Sequence, residues 1–290
     1  MNGGIILLDK PKGLTSFDCD KAVRKATGIR KVGHSGTLDP FATGLLPIFV
    51  GDALKFMRYT DGYDKKYRCT ALFGATSDTG DSEGEITPVQ KPGSSDMDKI
   101  RDALAEISKR TTQVPPKYSA KKIDGRKAYD LARQGIEFEL KAVPVTIHEL
   151  TVIDAKETEE GVEVVFDVHC SKGTYIRKIV TDAGELSGFG AYATELRRTM
   201  CGPFSVEDAV ALDQELIFTD PETVLDNMKQ VEVTDEIRED IRCGRRFRRD
   251  KLNTDAAPNE LIKATCKGKL IAVIYADENG IIRIDRGFDQ

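Results

Sequence analysis

Apolar positions along this chain fall in short runs, and their spacing switches between two and three-to-four residues. Residues 5–8 are a continuous apolar run that reads as a buried strand. Cys19, Ala22, Val23 and Ala26 then form a stripe at helical spacing, with Lys21, Arg24 and Lys25 on the outer face. Thr15 or Ser16 caps this helix, Asp18 supports its first turn, and Gly28 ends it. Residues 45–50 lead into a helix around 53–59. Residues 67–73 alternate like a strand, and 76–85 form a polar, glycine-rich loop. Ile100, Leu104 and Ile107 set a helix over 96–108, and a second helix is expected over 125–134, ended by Gly135.

The second half repeats this mixture. Residues 145–153 and 162–170 read as two strands joined by an acidic turn. Residues 174–186 carry the clearest helical stripe, Ile176, Ile179 or Val180, Ala183 and Leu186, with Thr174 as a cap. A strand returns over 192–200. Strands and helices without strict alternation predict an α+β fold with a mixed or antiparallel sheet. Residues 205–230 read as a helical, acidic connector. Three short strands follow at 261–265, 270–275 and 281–284, separated by Lys267-Gly268-Lys269 and Glu278-Asn279-Gly280 turns. The pattern thus divides the chain into 1–230 and a small β module at 231–290.

Composition narrows the class. The chain has 290 residues, 40% hydrophobic and 31% charged, which is ordinary for a soluble globular protein. No apolar run approaches a membrane span. The N-terminal run of four is followed by an acid and is not a signal peptide. Six cysteines without a C-x-x-C pair suggest free thiols in a reducing cytoplasm. The three histidines are far apart in sequence, which argues against a metal cluster. Neither a P-loop nor a G-x-G-x-x-G after a strand is present, so no nucleotide cofactor is expected.

With 43 basic against 48 acidic residues the net charge is −5, awkward for a nucleic-acid binder. The charges are segregated, however. Acids gather at Asp78, Asp81, Glu83 and Glu85, around 154–163 and over 213–240. Bases gather at Lys117, Lys121, Lys122, Arg126 and Lys127, and at Arg245, Arg246, Arg248, Arg249 and Lys251. A divided surface with a basic groove remains compatible with RNA.

One stretch interrupts every apolar period. Residues 33–47, GHSGTLDPFATGLLP, hold three glycines, two prolines, a histidine and a carboxylate. This is the composition of an ordered loop. Asp39 precedes Pro40, which pushes it towards extended geometry and presents the acid. A rigid loop presenting one acid is how a scaffold offers a nucleophile or a base.

The same stretch resembles the active-site loop of the TruB-type tRNA pseudouridine synthases. Residues 4–16, GIILLDKPKGLTS, are similar to that family's first motif. The matches continue at Lys65-Lys66-Tyr67-Arg68, at 170–177 (CSKGTYIR) and at Glu195-Leu196-Arg197-Arg198. The resemblance implies isomerisation of uridine to pseudouridine at position 55 in the T-loop of tRNA, with the base flipped into a pocket and no cofactor or metal. It implies Asp39 as the central carboxylate, Tyr67 as the tyrosine stacking on uracil, and Arg177 as the ion-pair partner of Asp39. It assigns His34 to the space left by the extruded base, and Tyr175 and Leu196 to the pocket. It leaves Lys10 either to a phosphate contact or to support of the Asp39 loop. The β module resembles a PUA-type RNA-binding domain. Two alternatives stand beside a catalytic synthase. One is an RNA-binding or tRNA-folding protein that keeps the fold without the chemistry, which Asp39, Tyr67 and Arg177 together disfavour. The other is a guide-RNA-dependent relative; residues 114–135 resemble the RNA-gripping insertion, around 110–150, of the stand-alone bacterial type, so no guide RNA is expected. The expected partner is the tRNA T-arm, and a cytoplasmic monomer is expected.

Overall fold

The fold is described from a computed structural model over residues 3–119, 121–123, 125–128, 131 and 134–288. The chain divides into two compact units, Met1–Asp220 and Pro221–Gln290. The sequence pattern places the division at 230. The strand Lys229–Glu232 lies in the second unit, where it pairs in parallel with Ile262–Cys266.

The first unit is built on one mixed sheet. Its strands are β1 (Ile5–Lys10), β2 (Val32–His34), β3 (Thr43–Val50), β4 (Lys65–Phe73), β5 (Ile147–Glu157), β6 (Val162–Cys170) and β7 (Ala191–Cys201), with the two-residue strand Phe204–Ser205 folded back on the end of β7. The order across the sheet is β1-β3-β7-β4-β6-β5, with β2 on β3. Every pairing in this sheet is antiparallel except β3 with β7, which run parallel at Thr43↔Arg197 and Gly44↔Arg198.

Burial follows the pleat. In β6, Val162, Val164, Phe166, Val168 and Cys170 are buried while Glu163, Val165, Asp167 and His169 alternate on the half-open face. The buried face packs on helix α2 (Met97–Ser108) through Ile100, Ala103, Leu104 and Ile107, and on α3 (Ile176–Ser187) through Ile176, Ile179, Val180 and Ala183. Each isoleucine, leucine or valine among them contributes about 1.5–3 kcal/mol on full burial. Strands β1 and β3 pack Ile6, Leu8, Leu46, Ile48 and Val50 against Cys19 and Val23 of α1 (Ser16–Thr27). Thr15 caps α1 in a capping box with Asp18, and Gly28 ends it at φ 71°. Both features agree with the sequence pattern, because both are local chemistry.

Three expectations change. Residues 53–59 form two 3₁₀ turns, Gly51–Lys55 and Met57–Thr60, instead of an α-helix. Helix α3 starts at Ile176 with Tyr175 at its N-cap; the Thr174 hydroxyl donates to Ser171 O at 2.9 Å and caps nothing. The 205–230 connector contains 3₁₀ turns at Val206–Asp208 and Pro221–Leu225 and no α-helix. Between them the chain runs along the outer edge of β1, bridging Leu8 to Val210 and Ile5 to Thr219. This satisfies an edge that would otherwise expose unpaired backbone groups. Val210, Leu212 and Leu216 pack on the β1/β3/α1 cluster. The helix expected over 125–134 falls mostly outside the described residues; Lys122–Ile123 and Arg126–Lys127 pair as a short hairpin.

In the second unit β8 (Lys229–Glu232), β9 (Ile262–Cys266), β10 (Lys269–Ala276) and β11 (Ile282–Gly287) form a four-stranded sheet in that order. A helix that the sequence pattern does not set out, α4 (Asp235–Arg242), is capped by Thr234 and buries Ile237 and Ile241. No described helix is long and apolar enough to cross a membrane.

Candidate active site

Asp39 stands on the loop between β2 and β3, and the loop is fixed on both sides of it. The buried Ser16 hydroxyl donates to Leu38 O at 3.1 Å and accepts from Leu38 N at 2.9 Å. Pro40 O accepts from Gly13 N at 2.8 Å and from Lys10 Nζ at 3.2 Å. Leu38, Phe41 and Ala42 are buried in the main core. Gly44 then turns the chain into β3 at φ 95°, where a Cβ would sit 2.3 Å from Arg198 O, so only glycine fits.

The acid meets a buried arginine. Arg177 Nε donates to Asp39 Oδ2 at 2.9 Å. The same guanidinium reaches Asp81 Oδ2 through Nη1 at 3.0 Å, Thr79 O at 2.8 Å, and through Nη2 Tyr118 O at 2.9 Å. Asp81 is itself buried and accepts on Oδ1 from the Thr79 hydroxyl at 2.7 Å and from Glu83 N at 3.0 Å. One cation therefore serves two carboxylates. Asp81 is held from every side, while Asp39 keeps 39% of its side-chain surface open to the cavity. Burial pushes the pKa of Asp39 above the ordinary aspartate value of 3.8; Arg177 pulls it back, Asp81 raises it, and Lys10 lowers it.

Five of the seven sequence-derived site residues converge on one cavity of about 270 Å³: Asp39, Tyr67, Tyr175, Arg177 and Leu196. Strand β4 brings Tyr67, and β7 brings Leu196 opposite Cys69. Burial pushes the Tyr67 phenol up to about 12, so it is neutral at ordinary pH. Tyr175 is held through its backbone by the buried Gln113, whose Oε1 accepts from Tyr175 N at 2.8 Å and whose Nε2 donates to Tyr175 O at 3.1 Å. A larger hollow of about 760 Å³, lined by His34 and Phe17 among others, shares Asp39, Ser119 and Arg177 with the first.

The other two residues stand apart from the cavity. Lys10 is fully buried and its ammonium bonds Pro11 O and Pro40 O, the geometry of a support beneath the Asp39 loop. Both nitrogens of His34 are occupied, Nδ1 against Asp20 Oδ2 at 2.9 Å and Nε2 against the Thr37 hydroxyl at 3.1 Å.

Sequence reasoning gave no role to Asp81, Ser119 or Arg198. Arg198 is fully buried, lines the cavity and donates through Nε to Leu45 O at 2.7 Å. Its Nη2, like the buried Ser119 Oγ, has no hydrogen-bond partner among the described residues. The period of two along β7 carries a signal for Arg198, since it sets residues 196 and 198 on one face. Nothing local marks Asp81 apart from the exposed acids around it. No metal-ligating cluster lies in the cavity among the described residues; the one group of three, Asp64, His148 and His169, is elsewhere.

Comparison with known proteins places the chain in a family. The family model of the TruB pseudouridylate synthase N-terminal domain matches residues 24–176, and that of the tRNA pseudouridylate synthase B C-terminal domain matches 177–228. The chain is 47% identical over 209 residues to tRNA pseudouridine synthase B of Aromatoleum aromaticum, covering 72% of this chain and 66% of that protein. It is 41% identical over 219 residues to the protein of that name from Aquifex aeolicus, covering 76% and 75%. The chain thus spans just under two thirds of the Aromatoleum protein's own length and three quarters of the Aquifex protein's. Among solved structures, an H/ACA RNP bound to a substrate RNA containing 2'-deoxyuridine aligns with a TM-score of 0.72 at 20% identity, over 99% of this chain and 85% of that one. A Cbf5-Nop10-Gar1 complex aligns equally well at 22% identity, over 98% and 84%, which establishes a shared fold. A chain whose sequence matches these two family models from residue 24 to 228 is a member of the TruB family of pseudouridylate synthases.

Proposed function

We propose that this protein isomerises uridine to pseudouridine at position 55 in the T-loop of tRNA, with Asp39 as the acting carboxylate. The observation that carries the reading is the pair of Asp39 and Arg177 at the junction of the two hollows. A half-open carboxylate held against a buried guanidinium is poised to act on a ligand rather than to tie the fold together. The isomerisation breaks N1–C1′, turns the base and joins C5 to C1′; one proton leaves C5 and one is gained at N1. Atoms balance without an oxidant or a group donor. An anionic carboxylate near C1′ and C6 serves either as nucleophile or as base towards the sugar.

The base must leave the folded T-loop to reach Asp39, at a cost of a few kcal/mol of unstacking. Tyr67 offers a ring for stacking and Leu196 an apolar wall. Ser119 Oγ and Arg198 Nη2 suit the carbonyls and ring N–H of uracil, groups that would otherwise cost about 1–3 kcal/mol each if left unpaired. His34 takes the gap that the base leaves. Phosphates are met by the basic group at 245–251 in the PUA-like second unit and by the bases around 117–127, of which the side chains of Lys122 and Lys127 lie outside the described residues. The enzyme acts as a cytoplasmic monomer on the tRNA T-arm, without a guide RNA or cofactor.

The test is the purified protein alone with a tRNA transcript tritiated at uracil C5. Release of about one tritium per tRNA, abolished when uridine 55 is replaced by cytidine, supports the reading. No release at saturating tRNA, or release that survives the replacement, overturns it.

A further inference from the structure

Two of the three histidines, separated by twenty-one positions in sequence, are neighbours in space. The β5–β6 hairpin sets the rings of His148 and His169 with centroids 4.7 Å apart and planes inclined by 45°. A bulge makes this possible. Ile147 pairs with Cys170 and Glu149 with His169, so two residues of β5, His148 and Glu149, stand against the single His169. Bulges of this kind re-aim a side chain. Asp64 joins from a third element. It immediately precedes β4, which pairs with β6 in the register Lys65↔Cys170 and Lys66↔His169. Its backbone is fixed by Gly202 N, which donates to Asp64 O at 2.9 Å.

We propose that Asp64, His148 and His169 form a binding site for a divalent transition-metal ion that favours imidazole, such as zinc. His148 Nε2 lies 3.0 Å from Asp64 Oδ2, and one ligand atom from each of the three residues lies within 4.8 Å of the other two. Bonds of about 2.0–2.2 Å to one ion put its ligand atoms about 3–3.5 Å apart. One pair already has that spacing, and the third atom, within 4.8 Å of both, has only a short distance to close. Two imidazoles and one carboxylate select zinc, nickel or cobalt over magnesium, which prefers oxygen ligands and keeps its waters. Lys66 faces the site with the opposing charge, while Glu149 and Asp64 favour a cation. Three protein ligands leave a position open to water or to a ligand. The ion clips together β4, β5 and β6 on the half-open face of the sheet, away from the alternate positions of β4 that include Tyr67.

The experiment uses the full chain, treated with chelator and dialysed, titrated with Co²⁺ followed by its visible absorption and then by displacement with Zn²⁺. Expected is one saturable ion per chain, without the charge-transfer band of a thiolate ligand, and a rise in Tm on zinc addition, since an ion that binds only the folded state stabilises it. His148→Ala and His169→Ala should each weaken binding by at least about tenfold and lose the Tm rise. His148 is exposed, so its replacement leaves folding intact, as circular dichroism without metal will verify. Cys243→Ser, which removes the exposed thiol, should bind as wild type. Wild-type binding by either histidine variant, loss of binding in Cys243→Ser, or an equal response to Mg²⁺ would overturn the proposal.

Discussion

Arg177 holds Asp39 with one nitrogen, Nε at 2.9 Å, and spends the rest of its guanidinium on Asp81 and two backbone carbonyls. The arginine is thus a shared counter-ion, and the balance between the carboxylates decides how ionised Asp39 is. Arg177→Ala leaves two desolvated carboxylates facing one another. Removing one partner of a buried pair costs about 3–5 kcal/mol, which a urea titration will read. The Asp39 pKa rises further, so single-turnover rates should fall sharply at neutral pH and recover in part as pH increases. Arg177→Lys restores the charge without the planar fork and should be intermediate. A loss that does not vary with pH would point to misplaced substrate instead.

Asp39→Asn should lower turnover by about 10³-fold or more while tRNA binding survives, because neutralised phosphates supply much of the affinity. The variant should also be more thermostable than wild type at pH 7. The sign follows from the raised pKa of Asp39. The protonated form suits the fold, so the favourable contribution is complete below the ordinary value of 3.8 and is lost as pH rises through the folded-state pKa. Asparagine mimics that protonated form. The gap in Tm should close as the pH approaches 4, and a destabilised Asp39→Asn at pH 7 would contradict it.

Tyr67, with its phenol pushed up to about 12, should contribute no inflection to the rate profile between about pH 8 and 10. Tyr67→Phe keeps the ring and should retain tRNA affinity, whereas Tyr67→Leu should lose about 1–3 kcal/mol of base stacking. Fluorescence titration of tRNA binding with both variants separates the ring from the hydroxyl.

Arg198→Met removes the donor to Leu45 O and the unpaired Nη2 together. Loss of the first should cost about 1–3 kcal/mol of stability. If the second meets uracil, single-turnover rates at saturating tRNA should fall by about tenfold or more beyond what the stability change explains. Wild-type rates in a folded Arg198→Met would remove it from the site.

Arg245, Arg246, Arg248 and Lys251 are exposed around the buried Phe247 in the second unit, with Arg245 and Arg248 partly neutralised by Asp240 and Asp250. Replacing all four by alanine should weaken tRNA binding and flatten its salt dependence. The log–log slope should drop by roughly 0.9 for each duplex phosphate that the protein ceases to neutralise. Chemistry at saturating tRNA should change little. An unchanged slope would reduce the group to a solvated face.

What the sequence made legible was local. The cap at Thr15, the stop at Gly28 and the alternation of β6 are written within a few residues of where they act. The ordered Asp39 loop was legible from its glycines and prolines, but what orders it, Ser16 and Lys10, was not. Both act across more than twenty residues of chain, and a buried lysine or serine looks like any other in sequence. Asp81 was hidden among acids that are exposed. The connector at 205–230 has helical composition, yet tertiary pairing with the edge of β1 overrides that propensity. His148 and His169 were discounted for their separation, which a hairpin abolishes.

Strands β3 and β7 touch in register at only two pairs, Thr43↔Arg197 and Gly44↔Arg198, and this is the parallel seam of an otherwise antiparallel sheet. On one side of the seam hang β1, β2 and the loop with Asp39; on the other lie β4 with Tyr67, β7 with Leu196, and the helix with Arg177. The sheet is a book of two leaves, and the acid and its arginine are printed on facing pages. Neither leaf, however well folded, holds both the acid and its arginine. Activity therefore reports on closure of the whole sheet, and a substitution that widens the spine at Gly44 would silence the protein while leaving both leaves intact.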